Sequence, residues 1–220
     1  MHSNNFQRSP FLSKPFTERL KATIPISHGL AAEIEDELRY IRRLWRSDAS
    51  AFLDHLLRLD VESRHDRFAM GVSDEFIHRY AEQCFEAEGV IFGYFAEDEL
   101  RGAGELRMTS PDYRSAEAAF SVERGCRHHG VGKALMTRIV RAARNEGVTT
   151  LYMTCLASNR AMRKLARHFD AELKFETDQV TGRLIGHTRT TGPSLEDKLD
   201  EAASLATSAV EKLRREWGMR

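Results

Sequence analysis

The chain has 220 residues, with 33 basic and 33 acidic side chains, a formal net charge of zero and 41% apolar residues. This size and composition are typical of one folded domain with additions, and the balanced charge gives no support for a nucleic-acid or anionic-membrane partner. No apolar run approaches the ~20 residues of a transmembrane helix, and the first residues lack the pattern of a signal peptide. The scattered Cys84, Cys126 and Cys155 favour reduced thiols in a cytoplasmic protein over a disulfide framework or a zinc site.

The first third of the chain predicts helices around one strand. Residues 1–22 are polar and contain two prolines, which indicates a flexible arm. Ser27 is a plausible N-cap for a helix through residue 38. The pattern then predicts a strand at 40–45, a helix capped by Asp48, a polar and cationic segment between helices at 59–68, and a helix that starts at Ser73 or Asp74.

The middle of the chain predicts β structure. A buried strand is expected at 90–95, a second strand at 100–109 and a third at 116–122. Turn residues separate them, at 97–99 and at Pro111-Asp112. Two hairpin-like turns in succession indicate that these strands are antiparallel.

The remainder alternates between strands and helices. A helix from Val131 ends near Gly147, a strand follows at 150–156, and Ser158 or Asn159 caps a short helix. A final hairpin is expected from strands at 169–175 and 181–190, turning around 180–182. Past residue 193, apolar residues at steps of three and four predict an amphipathic helix that packs on its own domain or forms a dimer contact.

A glycine-bearing loop stands between the third middle strand and the following helix. Its sequence is Arg127-His128-His129-Gly130-Val131-Gly132, with Lys133 next. The start of a helix offers unpaired backbone N–H groups and a positive dipole end, which together favour an anion such as phosphate. Neither a Walker A loop nor a dinucleotide-binding fingerprint fits, because Val131 and Leu135 occupy positions where those patterns need other residues.

The hexapeptide 127–132 resembles the acetyl-CoA pyrophosphate loop of the GNAT N-acetyltransferase superfamily. The order of elements from residue 40, β-α-α-β-β-β-loop-α-β-α-β-β, is similar to that of the family over about residues 40–190. The resemblance implies an α/β (α+β) fold, with a mixed, mostly antiparallel central sheet flanked by helices and with extra N-terminal and C-terminal helices. The expected organisation is an arm at 1–22, an acetyltransferase domain at 23–192 and a C-terminal amphipathic helix at 193–220.

The same resemblance implies acetyl-CoA as the acyl donor, held in a notch where the strand at 116–122 separates from the strand at 150–156. Backbone groups of the first strand would pair with the pantetheine amides, and the loop amides would hold the pyrophosphate. The expected cofactor-binding residues are Ser121, Val122, Arg127, His128, His129, Gly130, Val131, Gly132, Lys133 and Asn159.

An alkyl amine is almost all protonated at pH 7, so acetyl transfer to it needs a base. Glu117 lies on the pre-loop strand, and the stretch 116–120 resembles an Ala-Glu-x-Ala-Phe pattern of bacterial protein lysine acetyltransferases, in which that Glu is the proposed base. Residues 63–68 are similar to a Ser-Arg-x-x-Arg-Phe loop of that branch, near the acceptor. Glu105 is the second candidate base. The alternative role for Glu117 is an ion pair with Arg107 or Arg114.

Many family members carry a Tyr on the helix after the Asn, which donates a proton to the departing thiolate, but this chain has Ala166 there. Cys126 is interpreted as loop packing, since no Cys-His-Asp set accompanies it, and no metal site is expected. The leading hypothesis is therefore an N-acetyltransferase that acts directly on a primary amine, either a protein lysine or a small amine. The alternatives are a non-catalytic acetyl-CoA sensor of the same fold and, less favoured, a dimer or adaptor module at 195–217.

Overall fold

The structure, a computed structural model, describes residues 39–185 and, towards the C-terminus, residues 199, 202–203, 205–207 and 209. The predicted arm at 1–22 and the predicted helix after Ser27 lie outside the described residues. The described residues beyond 198 are helical, and their side chains are exposed. The packing of the C-terminal segment as a whole lies outside what the structure describes.

Residues 39–185 form seven strands and five α-helices. The strands are β1 (Arg39–Leu44), β2 (Gly89–Ala96), β3 (Glu99–Met108), β4 (Ser115–Val122), β5 (Thr150–Leu156), β6 (Glu172–Phe175) and β7 (Gln179–Ile185). The helices are α1 (Ala49–Arg58), α2 (Val61–Phe68), α3 (Asp74–Cys84), α4 (Val131–Asn145) and α5 (Arg160–His168). None of the helices among the described residues is both long enough and apolar enough to cross a membrane.

The strands form one sheet in the order β1-β2-β3-β4-β5-β7-β6. Every neighbouring pair is antiparallel except β4 and β5, which are parallel, and helix α4 supplies the crossover connection that a parallel pair requires. The mixed, mostly antiparallel sheet expected from the sequence is confirmed.

The parallel pair β4–β5 is short. The two strands pair at three positions, of which Glu117 opposite Tyr152 is the last. Strand β4 then continues to Val122 and strand β5 to Leu156 without pairing to each other. Their separation opens a notch in the middle of the sheet, at the place where the sequence predicts one.

Each face of the sheet carries its own helices and its own core. On one face, here called the α1–α3 face, Phe52, Leu56 and Ile77 pack against Leu100 and Ala103 of β3. On the opposite face, helices α4 and α5 pack over a second core, whose buried members include Leu106, Ala118, Met136, Ile139 and Met153. Side chains alternate between faces along a strand, so Glu117, Ala119 and Ser121 of β4 point to the α1–α3 face. Helix α2 packs against β4 and β5 on that same face.

Several helix ends follow the predicted signals. The Ser73 side chain accepts a hydrogen bond from the backbone N–H of Phe76 at 3.3 Å, and Asn159 accepts one from Met162 at 2.9 Å. Gly147 follows α4 with a φ of 79°, a left-handed conformation that glycine adopts without steric cost.

Three local predictions are wrong. The segment 59–68 contains helix α2, which Asp60 caps by accepting from the Ser63 N–H at 2.8 Å; its few apolar residues leave no helical period to detect. Asp48 does not cap α1 with its side chain, because its carboxylate instead accepts two hydrogen bonds of 2.9 Å from Arg42 and one of 2.9 Å from the Trp45 N–H.

The third error concerns the final hairpin, which turns between β6 and β7 and not at 180–182. Gly182 lies inside β7, where a Cβ atom would come within 3.3 Å of Leu173 and 3.4 Å of Ala166. The glycine there permits close packing of helix α5 and strand β6, whereas the sequence suggested a turn.

Candidate active site

The loop between β4 and α4 presents helix N–H groups to solvent. Gly130 occupies the N-cap of α4 with a φ of 80° and no side-chain cap, and the first intrahelical bond runs from the Ala134 N–H to the Gly130 carbonyl at 3.0 Å. The N–H groups of Val131, Gly132 and Lys133 therefore have no acceptor inside the helix. A Cβ at Gly130 would meet no atom within 4 Å, so the space beside these donors is open. The unpaired N–H donors, the positive end of the helix dipole and the open space beside them together fit the phosphates of a nucleotide cofactor.

The charged residues of this loop fall into two groups. His128, His129 and Lys133 are exposed around the N-terminus of α4, where all three add hydrogen-bond donors and Lys133 adds positive charge. Arg127 instead donates from Nε to the Val122 carbonyl at 3.0 Å and from Nη2 to Ser63 Oγ at 2.6 Å. Its guanidinium thus ties the loop to β4 and to helix α2, and it shapes the site by positioning those elements.

Two predicted cofactor residues lie at the sides of the notch with their side chains engaged. Ser121 of β4 is 6% exposed, and its hydroxyl is hydrogen-bonded to His55. Asn159 uses Oδ1 to cap α5, and no described residue accepts from its Nδ2 group. The backbone of β4 beyond Glu117 has no partner in β5, so one edge of that strand is available to an extended ligand.

Glu117 is exposed at the inner end of the notch. It stands opposite Arg107 of β3 and Tyr152 of β5 in the sheet register. The Arg107 guanidinium instead donates to Glu105 Oε2 at 3.1 Å and to Cys84 Sγ at 2.6 Å, while Arg114 lies 4.0 Å from Asp112. Within residues 39–185, the alternative ion pair of Glu117 with either arginine is not observed. The site therefore has a solvent-facing carboxylate where the notch begins.

Glu105 has the opposite environment. It is 1% exposed and accepts from Arg67 at 2.6 Å and from the Tyr80 hydroxyl at 2.6 Å, in addition to Arg107. Burial alone would raise the pKa of this carboxyl, but Arg67, Arg107 and the Tyr80 hydroxyl outweigh it and hold the pKa below its ordinary value. An ionised carboxylate enclosed by its own partners is a weak proton acceptor, so Glu105 is suited to joining α2 and α3 to β3.

The sequence interpretation missed a hydrogen-bonded chain beside the notch. His55 of α1 lies with Nε2 2.9 Å from Ser121 Oγ and with Nδ1 3.1 Å from Glu123 Oε1. Sequence reasoning gave His55 no role, yet its side chain is 0% exposed. The available signal was its spacing, because His55 falls three residues after Phe52 and four before Leu59, on the apolar stripe of its helix.

Cys126 packs against the apolar cluster of Tyr94, Val131 and Leu135. Burial raises the pKa of its thiol, which keeps the thiol protonated and poorly nucleophilic. Among the residues described, no group of three or more His, Cys, Asp and Glu side chains is arranged to hold a metal ion.

The sequence pattern of the acetyltransferase (GNAT) family matches residues 53–170. That match spans more than half of the chain and contains the notch, the glycine loop and the capped helix α5. No protein with a curated function matches the chain at a significant level.

Solved structures with the same fold are numerous, and three illustrate the range. The GNAT domain of S. lividans PAT is 22% identical with a TM-score of 0.58, over 66% of this chain and 89% of that one. Ribosomal-protein-alanine N-acetyltransferase from Brucella melitensis is 21% identical with a TM-score of 0.54, over 67% and 99%. The yncA protein of Salmonella typhimurium, solved with its cofactor acetyl-CoA, is 14% identical with a TM-score of 0.53, over 71% and 99%. At these identities the likeness establishes the fold.

Proposed function

Since the chain belongs to the acetyltransferase (GNAT) family, we propose that it moves the acetyl group of acetyl-CoA directly to a primary amine, with Glu117 as the base. Acetyl transfer with acetyl-CoA as the donor follows from the family; the class of acceptor and the role of Glu117 are the proposal. The observation that carries it is the exposed carboxylate of Glu117 at the last position where β4 pairs with β5.

The donor is proposed to lie along the notch with its phosphates at the start of α4. The N–H groups of Val131, Gly132 and Lys133 would bind the pyrophosphate. His128 and His129 would add hydrogen-bond donors around it, and the Lys133 side chain would add positive charge. The unpaired edge of β4 at Ser121 and Val122 would bind the pantetheine amides in the manner of an added strand. Asn159 would contact the same arm through its amide nitrogen. Arg127 and Gly130 would keep the loop in the required shape.

The acceptor amine is proposed to reach the thioester from the α1–α3 face, where Glu117 points. An alkyl ammonium has to lose a proton before its nitrogen can attack. Glu117 faces solvent and can accept that proton directly or through one water molecule. Glu105 lies on β3 only two residues from Arg107, the residue opposite Glu117. It is buried in ion pairs, so taking a proton from an incoming amine would cost Glu105 far more free energy than it would cost the exposed Glu117.

Among primary-amine acceptors, the sequence favours a protein lysine, and a small amine is the alternative. The support is the resemblance of residues 116–120 and 63–68 to bacterial protein lysine acetyltransferases. The structure adds that residues 63–68 belong to helix α2, which packs on β4 and β5 beside the notch. No observation favours a non-catalytic sensor.

The test of the base is the Glu117→Gln substitution. The variant should bind acetyl-CoA as the wild type does in calorimetry, and its kcat should fall by roughly 10²-fold or more, the usual contribution of a positioned base. Glu172→Gln is the matched control, because Glu172 is also an exposed strand glutamate but lies on edge strand β6. An unchanged kcat for Glu117→Gln, measured with an active acceptor, would remove Glu117 from the role.

The acceptor class is tested by an acetyl-CoA turnover screen in which lysine peptides, small amines and protein lysates are offered in parallel. Transfer to a lysine side chain, confirmed by a mass increase on that residue, supports the protein-lysine assignment. Turnover with small amines alone supports the other class, and absence of turnover with every amine would favour a sensor.

Two further expectations stay predictions. Cytoplasmic localisation rests on Cys84, Cys126 and Cys155, which are all unbridged in the structure. A homodimer formed through the C-terminal helix is tested by sedimentation of a chain truncated after residue 193, whose oligomeric state should change if the segment is a dimer contact.

A further inference from the structure

We propose that Ser121, His55 and Glu123 form a proton relay that takes a proton from the attacking nitrogen and returns it to the departing CoA sulfur. This proposal rests on the proposed direct transfer to an amine. It assigns a catalytic role to the Ser121 hydroxyl and a supporting role to His55 and Glu123, and it supplies the proton donor that Ala166 cannot provide.

The three side chains have the geometry of a nucleophile, base and orienting-acid set. Ser121 Oγ lies 2.9 Å from His55 Nε2, and His55 Nδ1 lies 3.1 Å from Glu123 Oε1. Ser121 and Glu123 follow His55 by 66 and 68 residues in the chain. They meet it on the inner side of helix α1, where the His55 side chain has no solvent contact. Hydrogen-bond distances of this kind, with the base held by a third group, are the signature of a side-chain proton path.

Charged neighbours decide which atom carries the proton. Glu123 accepts from Arg58 Nε at 3.1 Å and from Arg101 Nη1 at 2.9 Å, in addition to His55. Burial alone would raise the pKa of Glu123, but the His55 and Arg101 hydrogen bonds and the charge of Arg58 lower it to about 2. An ionised carboxylate can only accept a hydrogen bond, so Nδ1 of His55 donates to it.

The state of the imidazole follows from the same surroundings. Burial lowers the pKa of His55, and Arg58 acts in the same direction, while Glu123 and the more distant Glu105 oppose them. A neutral ring with its proton on Nδ1 presents the lone pair of Nε2 to Ser121. The Ser121 hydroxyl therefore donates to His55, and its own lone pairs are available to a proton from another source.

Ser121 lies on the part of the notch where the attacking nitrogen of the amine would release its proton. It is on the part of β4 that has separated from β5, on the same face as Glu117 and four residues further along. Four residues of a strand span about 13 Å. With the pantetheine amides on the backbone at Ser121 and Val122, the thioester of the proposed donor would lie within that span, between Ser121 and Glu117, and the relay would begin beside it.

The proton balance requires two separate steps. Glu117 removes one proton from the ammonium, so that the neutral nitrogen attacks the thioester carbonyl. As the C–N bond forms, the nitrogen becomes positive and loses a second proton to Ser121 Oγ, while Ser121 passes its own proton to His55 Nε2. Glu123 stabilises the resulting imidazolium. When the C–S bond breaks, His55 returns the proton through Ser121 to the sulfur, and Glu117 releases its own proton to solvent, so the products are the neutral amide and the thiol.

The experiment compares Ser121→Ala and His55→Gln with the wild type in single-turnover acetyl transfer. His55→Gln keeps hydrogen-bonding groups in place of the ring nitrogens but cannot accept a proton. Both variants should transfer acetyl more slowly by roughly 10–10²-fold, with an acetyl-CoA Kd within about twofold of the wild type in calorimetry. Loss of rate together with a comparable loss of acetyl-CoA affinity would mean a structural role and would overturn the relay.

The pH profile distinguishes proton transfer from packing. In the wild type, the rate should fall steeply on the acid side, because protonation of His55 and protonation of Glu117 each stop the reaction. The acid limb should become shallower in His55→Gln, where Glu117 alone contributes, and also in Glu117→Gln, where His55 alone contributes. An acid limb as steep in His55→Gln as in the wild type would overturn the relay, whereas a normal rate for Glu117→Gln would overturn only the assignment of the base.

Two further measurements use the wild-type protein, so their outcome does not depend on whether a variant folds. A proton inventory of the single-turnover rate in mixtures of H₂O and D₂O should be curved, because more than one proton moves in the relay step; a linear plot would contradict it. Mass spectrometry after acid quench of enzyme with acetyl-CoA should show unmodified Ser121. An acetyl group on Ser121 would show that the hydroxyl is a nucleophile and would replace the relay by a two-step transfer.

Discussion

The guanidinium of Arg67 lies 2.6 Å from Glu105 Oε1, and this contact joins helix α2 to strand β3 across 38 residues of sequence. Both side chains are nearly enclosed, with 9% and 2% of their surface exposed. The contact holds α2, and with it Ser63, against β3, the neighbour of the strand β4 that carries Glu117. Two opposite charges buried together tolerate the loss of both partners far better than the loss of one.

Glu105→Ala should therefore destabilise the protein by about 3–5 kcal/mol, because it leaves the Arg67 charge buried without its partner. Urea unfolding followed by circular dichroism measures the change. The double variant Arg67→Met with Glu105→Leu serves as the control and should recover a large part of the lost stability. A Glu105→Ala variant as stable as the wild type would show that the pair is not needed to neutralise Arg67.

Gly130 and Gly147 flank helix α4 with the same backbone conformation, at φ values of 80° and 79°, and at both a Cβ would meet no atom within 4 Å. Substitution of either glycine by Ala should cost about 1–2 kcal/mol of stability from the left-handed backbone alone. Gly130→Ala should in addition weaken acetyl-CoA binding by roughly tenfold or more, a loss of about 1.4 kcal/mol, since its methyl group enters the space beside the helix N–H groups. Calorimetry on both variants checks this, and equal affinities would place the phosphates elsewhere.

Glu123 should make the stability depend on pH in the acid range. Its pKa is lowered from an ordinary 4.5 to about 2, so the unfolded chain binds this proton more readily than the folded one. The stabilisation is complete above about pH 4.5 and is lost as the pH falls towards 2. Its size is on the order of 3 kcal/mol at pH 7. The free energy of unfolding of the wild type and of Glu123→Gln should converge on acidification, whereas Glu172→Gln should follow the wild type throughout.

Cys126→Ala should retain the transfer rate within about threefold, because direct transfer to an amine uses no thiol nucleophile. The half-buried side chain contributes packing beside Val131 and Leu135, so a small loss of stability is expected. Transfer assays before and after the substitution measure the effect. A fall in kcat of the size expected for Glu117→Gln would make the thiol a participant in the chemistry.

The sequence alone was sufficient for the order of the strands, for the four helices of residues 39–185 other than α2, and for the place of the glycine loop. The glycine loop, the helix that begins at Val131 and the caps at Ser73 and Asn159 depend on residues within a few positions of one another. Local steric and hydrogen-bonding rules act at that range, so their signals are present in short stretches of sequence. The resemblance to the GNAT family, and not these local rules, implied the notch beside β4 and the place of Glu117 near it.

Helix α2 shows where local signals were insufficient. Val61–Phe68 contains two apolar residues among eight, and its helical state is supported by contacts that Arg67 and Ser63 make with β3 and with the glycine loop. Propensity over eight residues is a weak influence, and tertiary contacts override it. Asp48 is a similar case, because the buried Arg42 of the preceding strand β1 binds its carboxylate in place of the helix N-terminus.

The tertiary structure alone decided which carboxylates are buried and which histidine is part of the site. Glu105 and Glu117 are both strand glutamates in sequence, yet one is enclosed by Arg67, Tyr80 and Arg107 and the other faces solvent. His55 reaches Ser121 and Glu123 only because helix α1 packs on β3, the strand beside β4. Charge, burial and proton position depend on partners up to 68 residues away along the chain, and no short-range pattern encodes such pairings.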